Sequence, residues 1–269
     1  MLATQSSIYQ DLHDLRYSNR SGLSLLELLV VLTILIALGG IVVSTLPGML
    51  RRTQVATAAA NIPEIDATIR RNATLTQGQI GNRFDSLISG SASLDGGIPD
   101  YIGGSEIFMA ASLSASETQA LQSIGITELV PAIAETLNAT FGSHDQLPVQ
   151  IGTDTRVCVL ESEAALQILL EGWNFEPVEE SKYLVFGLGE QCTLVGAGPK
   201  ATFSEPPVHF SDDRDQSPEE MYSRYLILVE VRPLSDSESV ARYVGAGIPG
   251  KNGIHSVSKE LEIYYSDQN

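Results

Sequence analysis

The longest apolar run of the chain covers residues 23–46, with the sequence LSLLELLVVLTILIALGGIVVSTL. Glu27 is the only ionisable side chain in this run. A helix of this length reaches roughly 36 Å at about 1.5 Å per residue, and the hydrocarbon core of a bilayer is about 30 Å thick. The pattern therefore predicts a single membrane-spanning helix.

Residues 47–72 follow with a different pattern, in which apolar residues recur every three to five positions. This spacing is typical of an amphipathic helix that packs one stripe on a sheet. We expect Pro63 to bend or interrupt the helix, because proline removes a backbone donor. A separate short helix after a break is the alternative. The predicted stripe consists of Leu50, Val55, Ala58, Ile62, Ile65 and Ile69.

The remaining residues, 73–269, have the pattern of a globular head. A stretch over 78–104 is rich in Gly, Ser and Asp, which predicts a surface loop. Apolar residues at helical spacing then predict three helices, over 105–123, 127–141 and 163–170.

Short runs of β-branched and aromatic residues, bounded by turn residues, predict strands in the rest of the head. These runs are PVQIG, RVCVL, KYLVF, CTLVG, SRYLILVEV, VARYV and KELEIYYS. The tight glycine turns between the later runs favour antiparallel pairing, with YLILVEV in the centre of the sheet. The predicted fold class is α+β: a long N-terminal membrane-spanning helix, packed through its C-terminal half on an antiparallel-sheet head with extra helices.

The position of Glu27 inside the apolar run needs an explanation. A carboxylate in hydrocarbon costs on the order of 2.5–3.5 kcal/mol at mid-bilayer, and no cation lies within the run. A cut between Gly22 and Leu23 would create an α-amino group four residues before Glu27, or beside the Glu27 of a neighbouring copy. Gly22 has no side chain to obstruct a protease. The pattern indicates proteolytic processing at this junction.

Gly22 followed by LSLLELLVVLTILIAL resembles the prepilin signal of type IV pilins and of the pseudopilins of type II secretion. In that family a Gly precedes the cut, a Glu lies fifth after it and an apolar helix follows. The resemblance implies that a membrane-embedded prepilin peptidase cuts after Gly22 and methylates the new N-terminus at Leu23. It also implies that Glu27 neutralises the N-terminus of the adjacent subunit as helices stack into a filament.

On this resemblance the chain is expected to be a structural subunit of a type IV pilus-like or type II secretion pseudopilus filament, and not an enzyme. Residues 1–22 would be the cleaved leader, 23–46 the transmembrane and filament-core helix, 47–72 its amphipathic continuation and 73–269 the head. The size of the head favours a minor subunit. The implied partners are homologous pilin or pseudopilin subunits, the prepilin peptidase, an inner-membrane assembly platform and membrane lipid.

The implied location is the bacterial inner membrane, as a single-pass protein with its head outside the cytoplasm, and then a cell-envelope filament. A signal-anchored single-pass membrane protein with an extracytoplasmic binding domain is the alternative. A plain anchor leaves Glu27 in the apolar run unexplained.

Charge and motifs limit the other classes of function. The formal net charge is −17, and an acidic surface repels phosphate backbones, which argues against nucleic-acid contact. The four histidines, His13, His144, His209 and His255, are scattered without the spacing of a transition-metal site. No G-x-S-x-G nucleophile elbow occurs. The sequence contains no catalytic signature and predicts no resident cofactor.

Cys158 and Cys192 lie in strand-like segments of the part expected outside the cytoplasm. They form a candidate disulfide, which would contribute roughly 3–4 kcal/mol in the chain-entropy model. Two buried free thiols are the alternative.

The acidic stretch SDDRDQSPEE, over 211–220, is the candidate metal site. Carboxylates of Asp213, Asp215 and Glu219 are hard oxygen ligands that suit Ca²⁺ outside a cell. Some pseudopilins that resemble this chain bind calcium in a C-terminal loop. A solvated loop that leads into a helix is the alternative.

Overall fold

The computed structural model describes residues 24–90, 93–102, 107–132, 146–160, 178, 180–198, 201–209, 222–235, 237–250, 253–255, 262 and 265. Side chains over 41–48 and 50–52 lie outside this description. The chain divides into two compact units, Met1–Gly48 and Met49–Asn269. The long helix and the head are described below unit by unit.

One helix, α1 (Leu25–Leu75), is 51 residues long, and the division between the units falls within it. In the second unit it buries the predicted apolar stripe, which confirms that part of the prediction; Leu50 lies outside the described side chains. The helix continues through the exposed Pro63, so the expected interruption is wrong. Burial of apolar side chains on both sides of the proline outweighs its cost of about 3 kcal/mol. The buried stripe is Val55, Ala58, Ile62, Ile65 and Ile69.

The N-terminal part of α1 corrects a second prediction. In the part of the chain that the structure describes, no helix combines the length and apolarity needed to cross a bilayer. The membrane-spanning helix predicted over 23–46 and the single-pass inner-membrane location are therefore wrong.

The head contains a nine-stranded sheet within the described residues. Its principal order is β4-β3-β1-β6-β7-β8-β9, and β5 pairs with β2 and with β6. The strands are β1 (Phe84–Ser89), β2 (Phe108–Ser112), β3 (Glu128–Ala132), β4 (Val149–Gln150), β5 (Arg156–Leu160), β6 (Lys182–Gly187), β7 (Leu226–Ser235), β8 (Glu238–Gly250) and β9 (Gly253–His255).

The sheet is mixed, so the fold class predicted for the head is also wrong. Strands β1 and β3 pair in parallel, whereas the other strand pairs are antiparallel. Parallel neighbours need a crossover connection. Here the connection contains a short 3-10 helix (Asp100–Ile102), β2 and α2 (Ala115–Ser123). The described head is a mixed α/β arrangement.

The predicted helices are replaced in part by strands. The stretch over 105–123 contains β2 before α2, which starts after Ser114 because Ser114 and Glu117 form a capping box. The stretch expected to be helical from 127 contains β3, whose Leu129 pairs with Phe84 of β1. Whether such a short apolar run forms a strand or a helix depends on whether it can pair with a buried neighbouring strand. The helix predicted over 163–170 lies outside the described residues.

The predicted strands are mostly confirmed. PVQIG, RVCVL, KYLVF, SRYLILVEV and VARYV contribute to β4, β5, β6, β7 and β8, and β7 has neighbours on both edges. CTLVG is a turn with one isolated bridge, between Val195 and Phe203, and most of KELEIYYS lies outside the description. The loop expected over 78–104 contains the buried strand β1.

The core of the head lies between the buried stripe of α1 and the sheet. The rings of Phe84 and Phe186 stack there, with centroids 6.5 Å apart. The first half of β7 is buried from Leu226 to Val231. Helix α2 contacts β7 and β8.

Candidate assembly site at the start of the long helix

Glu27, the predicted assembly residue, lies in the first turn of α1. Gly22 and Leu23, the predicted cleavage site and new N-terminus, lie outside the described residues, which begin here at Ser24. Glu27 is described, and its side chain is exposed in the first turn of α1.

Glu27 forms a reciprocal pair of hydrogen bonds with Ser24. The backbone N–H of Ser24 donates to Oε2 of Glu27 at 2.8 Å, and the backbone N–H of Glu27 donates to Oγ of Ser24 at 3.2 Å. The first helical bond follows, from the N–H of Leu28 to the carbonyl of Ser24 at 3.0 Å. This arrangement is a capping box, which pairs two otherwise unsatisfied N–H groups at a helix start.

The capping box changes the interpretation of the Glu27 charge. The hydrogen bond from the Ser24 backbone, and then the one involving the Ser24 side chain, lower the pKa of Glu27. A carboxylate at a helix N-terminus is also favoured by the helix dipole. Glu27 thus has a hydrogen-bond donor within its own chain and does not depend on a cation alone. The S-x-x-E spacing before an apolar run was the signal that could have revealed it.

The helix that starts at this cap is apolar on every side. Between Leu25 and Gly40 the sequence has one other polar side chain, Thr33, whose hydroxyl donates to the carbonyl of Val30 at 2.8 Å. The large apolar side chains of this stretch are 44% to 83% exposed within the single chain. They are Leu25, Leu26, Leu28, Leu29, Val30, Val31, Leu32, Ile34, Leu35, Ile36 and Leu38. Such a surface has to be covered by other apolar groups.

The two cysteines are buried free thiols in this structure. Cys158 lies in β5 and Cys192 lies in the turn after β6. Burial raises the pKa of Cys158 far above its ordinary value and raises that of Cys192 to about 12. Of the two alternatives for these residues, a disulfide or two buried free thiols, the structure has the free thiols.

The calcium candidates Asp213, Asp215 and Glu219 lie outside the described residues. Among the residues that are described, no group of three or more His, Cys, Asp or Glu side chains is placed to hold a metal ion.

Sequence reasoning missed a buried polar network where β1 meets β6. The hydroxyl of Tyr222 donates to Oδ2 of Asp85 at 2.7 Å, and Nη1 of Arg224 lies 3.5 Å from the same oxygen. Nη2 of Arg224 pairs with Oε1 of Glu190 at 3.2 Å. Burial, and next the charge of Asp85, raise the pKa of Tyr222 well above its ordinary value. These residues are far apart in sequence, so no local pattern marks the network. Its described groups pair with one another, which is the arrangement of a structural brace.

Comparison of the chain with protein-family models, with characterised proteins and with solved structures finds no match.

Proposed function

We propose that this chain is a structural subunit of a type IV pilus-like or type II secretion pseudopilus filament, assembled through the first part of α1. The observation that supports the proposal is the helix stretch from Leu25 to Gly40, which exposes large apolar side chains on all its faces. A helix with one apolar stripe packs on one neighbour, whereas a helix that is apolar all round needs several. Stacked copies of the same helix supply them.

The apolar energy available from this stretch is of the same order as the cost of association. Covering the exposed half of a Leu or Ile side chain contributes about 1 kcal/mol, since full burial contributes about 1.5–3 kcal/mol. The eleven exposed side chains together offer on the order of 10 kcal/mol, which is comparable with the cost of association of about 4–15 kcal/mol. Apolar contact therefore supplies affinity but gives little control of register.

Glu27 supplies the register in this proposal. Cleavage after Gly22 by a prepilin peptidase gives an α-amino group at Leu23, and this cation pairs with Glu27 of an adjacent subunit. Oε2 of Glu27 accepts the Ser24 N–H, and the side chain remains exposed to a partner. An ion pair formed among apolar helices is costly to misplace, because a shifted helix leaves one charge without its partner. The homologous subunits and the peptidase are the proposed partners.

The test separates the charge of Glu27 from its role as a helix cap. Glu27→Gln keeps a capping-box side chain, because Gln is accepted at this position, but removes the charge. Ser24→Ala removes the capping hydroxyl and keeps both the charge and the Ser24 backbone N–H. Each variant is expressed in full length in the native cells. Intact-mass spectrometry then identifies the N-terminus, and sedimentation with electron microscopy measures polymer.

We expect wild type and Ser24→Ala to begin at Leu23 and to form filaments, and Glu27→Gln to be processed but to lose most assembly. Retention of residues 1–22 in the mature wild-type protein, with no polymer, would overturn the proposal. Equal assembly by Glu27→Gln and wild type would overturn the role assigned to Glu27.

A further inference from the structure

A pocket of about 290 Å³ lies in the second unit, near the C-terminal end of α1 and the turn between α2 and β3. Its lining combines side-chain amides, hydroxyls and glycines from four separate parts of the chain. The lining residues are Asn72, Thr76, Gln79, Gly81, Asn82, Gln122, Gly125, Thr127 and Thr193.

The chemistry of this lining limits the ligand. Its described lining residues include no carboxylate, ammonium or guanidinium, so an ion would lose its hydration without gaining an opposite charge from them. The same residues include no aromatic or aliphatic side chain, so the apolar surface that they offer comes from the carbon atoms of polar side chains and glycines. Amides and hydroxyls both donate and accept hydrogen bonds. A neutral ligand with many hydroxyl groups matches them.

The wall of the pocket is fixed by hydrogen bonds before any ligand enters. Oδ1 of Asn82 accepts the backbone N–H groups of Thr127 and Glu128, both at 2.9 Å, and its Nδ2 donates to the Thr127 hydroxyl at 2.7 Å. The backbone N–H of Asn82 donates to the hydroxyl oxygen of Thr193 at 3.0 Å. Groups held in this way lose little conformational freedom on binding.

The opposite wall is the end of α1. The Thr76 hydroxyl and the Asn72 amide donate to the carbonyl of Gln79, at 2.6 Å and 3.2 Å. The last turn of this helix contains no basic residue. The carbonyl end of a helix carries partial negative charge, which favours hydrogen-bond donors nearby. Hydroxyl groups of a ligand are such donors.

Gly125, in the turn between α2 and β3, lines the pocket and cannot be replaced by a larger residue without strain. Gly125 has a φ of +96°, and a Cβ there would lie 3.0 Å from the Cβ of Gln79. This residue therefore both permits the turn and keeps the opposite wall at its distance. Gln122, from the last turn of α2, lies exposed at the rim.

From these observations we infer that the pocket binds a neutral saccharide of about monosaccharide size. Its volume lies near the lower end of the range for small-molecule sites, roughly 300–1,000 Å³. The inference is independent of filament assembly, because all the described lining residues belong to the second compact unit, outside the stretch from Leu25 to Gly40.

The test measures binding to the full chain by isothermal titration calorimetry in mild detergent. The probes are glucose, galactose and N-acetylglucosamine as neutral sugars, and glucuronic acid and glucosamine as charged ones. The test variant is Gln122→Ala, which removes a rim amide. The matched control is Gln119→Ala, since Gln119 is an exposed glutamine of the same helix that does not line the pocket. Thermal melting confirms that both variants are folded.

We expect at least one neutral sugar to bind saturably to wild type and to Gln119→Ala, and Gln122→Ala to weaken that binding roughly three- to tenfold, the effect of losing one hydrogen bond. We expect the charged sugars to bind more weakly than the neutral one. The inference is overturned if no neutral sugar binds up to millimolar concentration, if a charged sugar binds more tightly, or if Gln119→Ala weakens binding as much as Gln122→Ala.

Discussion

Replacing Arg242 by alanine should destabilise the head by breaking a half-buried ion pair in the sheet. Glu230 of β7 is 2% exposed, and its Oε2 pairs with Nε of Arg242 on β8. Its other oxygen, Oε1, accepts the hydroxyl of Tyr183 on β6, at 3.3 Å. Glu230 is directly opposite Arg242 in one strand pair and opposite Tyr183 in the other. The carboxylate is thus held between three adjacent strands.

The expected cost follows from burial. Removing one partner of a fully buried ion pair costs about 3–5 kcal/mol, because the remaining charge stays without compensation. The Arg242 side chain is 54% exposed, so water reaching the space that it leaves would solvate part of the Glu230 charge. We therefore expect a smaller loss, of about 2 kcal/mol.

Urea denaturation of the full chain, followed by circular dichroism in mild detergent, measures this loss. The double variant Glu230→Gln/Arg242→Ala removes the stranded charge and keeps an acceptor for Tyr183. It should be more stable than Arg242→Ala alone. Arg232→Ala is the matched control, because Arg232 is an exposed arginine of the same sheet and should change stability by less than about 0.5 kcal/mol. A loss of under about 0.5 kcal/mol for Arg242→Ala, or a double variant less stable than that single one, would refute the reasoning.

Two further predictions follow from the head. Gly187→Ala should cost more than about 2 kcal/mol in the same assay, because the added methyl group would clash with the Tyr222 side chain; the additional cost should be smaller in a Tyr222→Phe background, where the hydroxyl is absent. Stability should also depend on pH through Cys158 and Cys192, whose folded-state pKa values are raised by burial, that of Cys192 from 9.0 to about 12. The contribution of these thiols is therefore fully present below about pH 9 and is lost as the pH rises towards 12, on the order of 1.4 kcal/mol per pH unit for each thiol. Replacing both cysteines by alanine should flatten that decline, as measured by urea denaturation at a series of pH values, and an unchanged decline would contradict the prediction.

The spacing of apolar residues predicted those parts of the fold in which a single continuous segment shows which of its residues are buried. The stripe of Ile62, Ile65 and Ile69 has helical spacing, and the structure buries it. The continuous apolar run LILVEV needed neighbours on both edges, and it has them in β7. In both cases the sequence pattern and the packing have the same period.

Pairing between distant segments was not predictable in this way. FDSLIS, now β1, lies among Gly, Ser and Asp residues, and nothing local indicates that its neighbour is β3, in parallel. The same holds for Asp85 and Tyr222, which are hydrogen-bonded across the head. The membrane-spanning helix predicted over 23–46 was wrong because, within the described residues, no helix combines the length and apolarity needed to cross a bilayer. The continuation of this helix to Leu75 agrees with the amphipathic stretch predicted over 47–72.

One short motif, S-x-x-E, occurs at the start of both described α-helices of the chain. Ser24 with Glu27 and Ser114 with Glu117 have the same S-x-x-E spacing, and each pair forms a capping box. Lys182 also pairs with Glu117. Burial alone would raise the pKa of Glu117, but the contact with Lys182 and the hydrogen bonds of the cap together lower it. The interpretation of the apolar run treated Glu27 as a charge without a partner, although the S-x-x-E motif predicts a hydrogen-bond donor three residues before it.

The cap makes an intersubunit role of Glu27 easier to explain. An isolated carboxylate that enters apolar surroundings tends to bind a proton, and it then has no charge with which to select a partner. The hydrogen bond from the Ser24 backbone contributes most to the lowered pKa of Glu27, and every substitution at position 24 except proline retains this N–H group. Side-chain identity at 24 should therefore affect the start of the helix, whereas charge at 27 should affect assembly. Glu27→Gln and Ser24→Ala separate these two effects because each variant removes one and leaves the other.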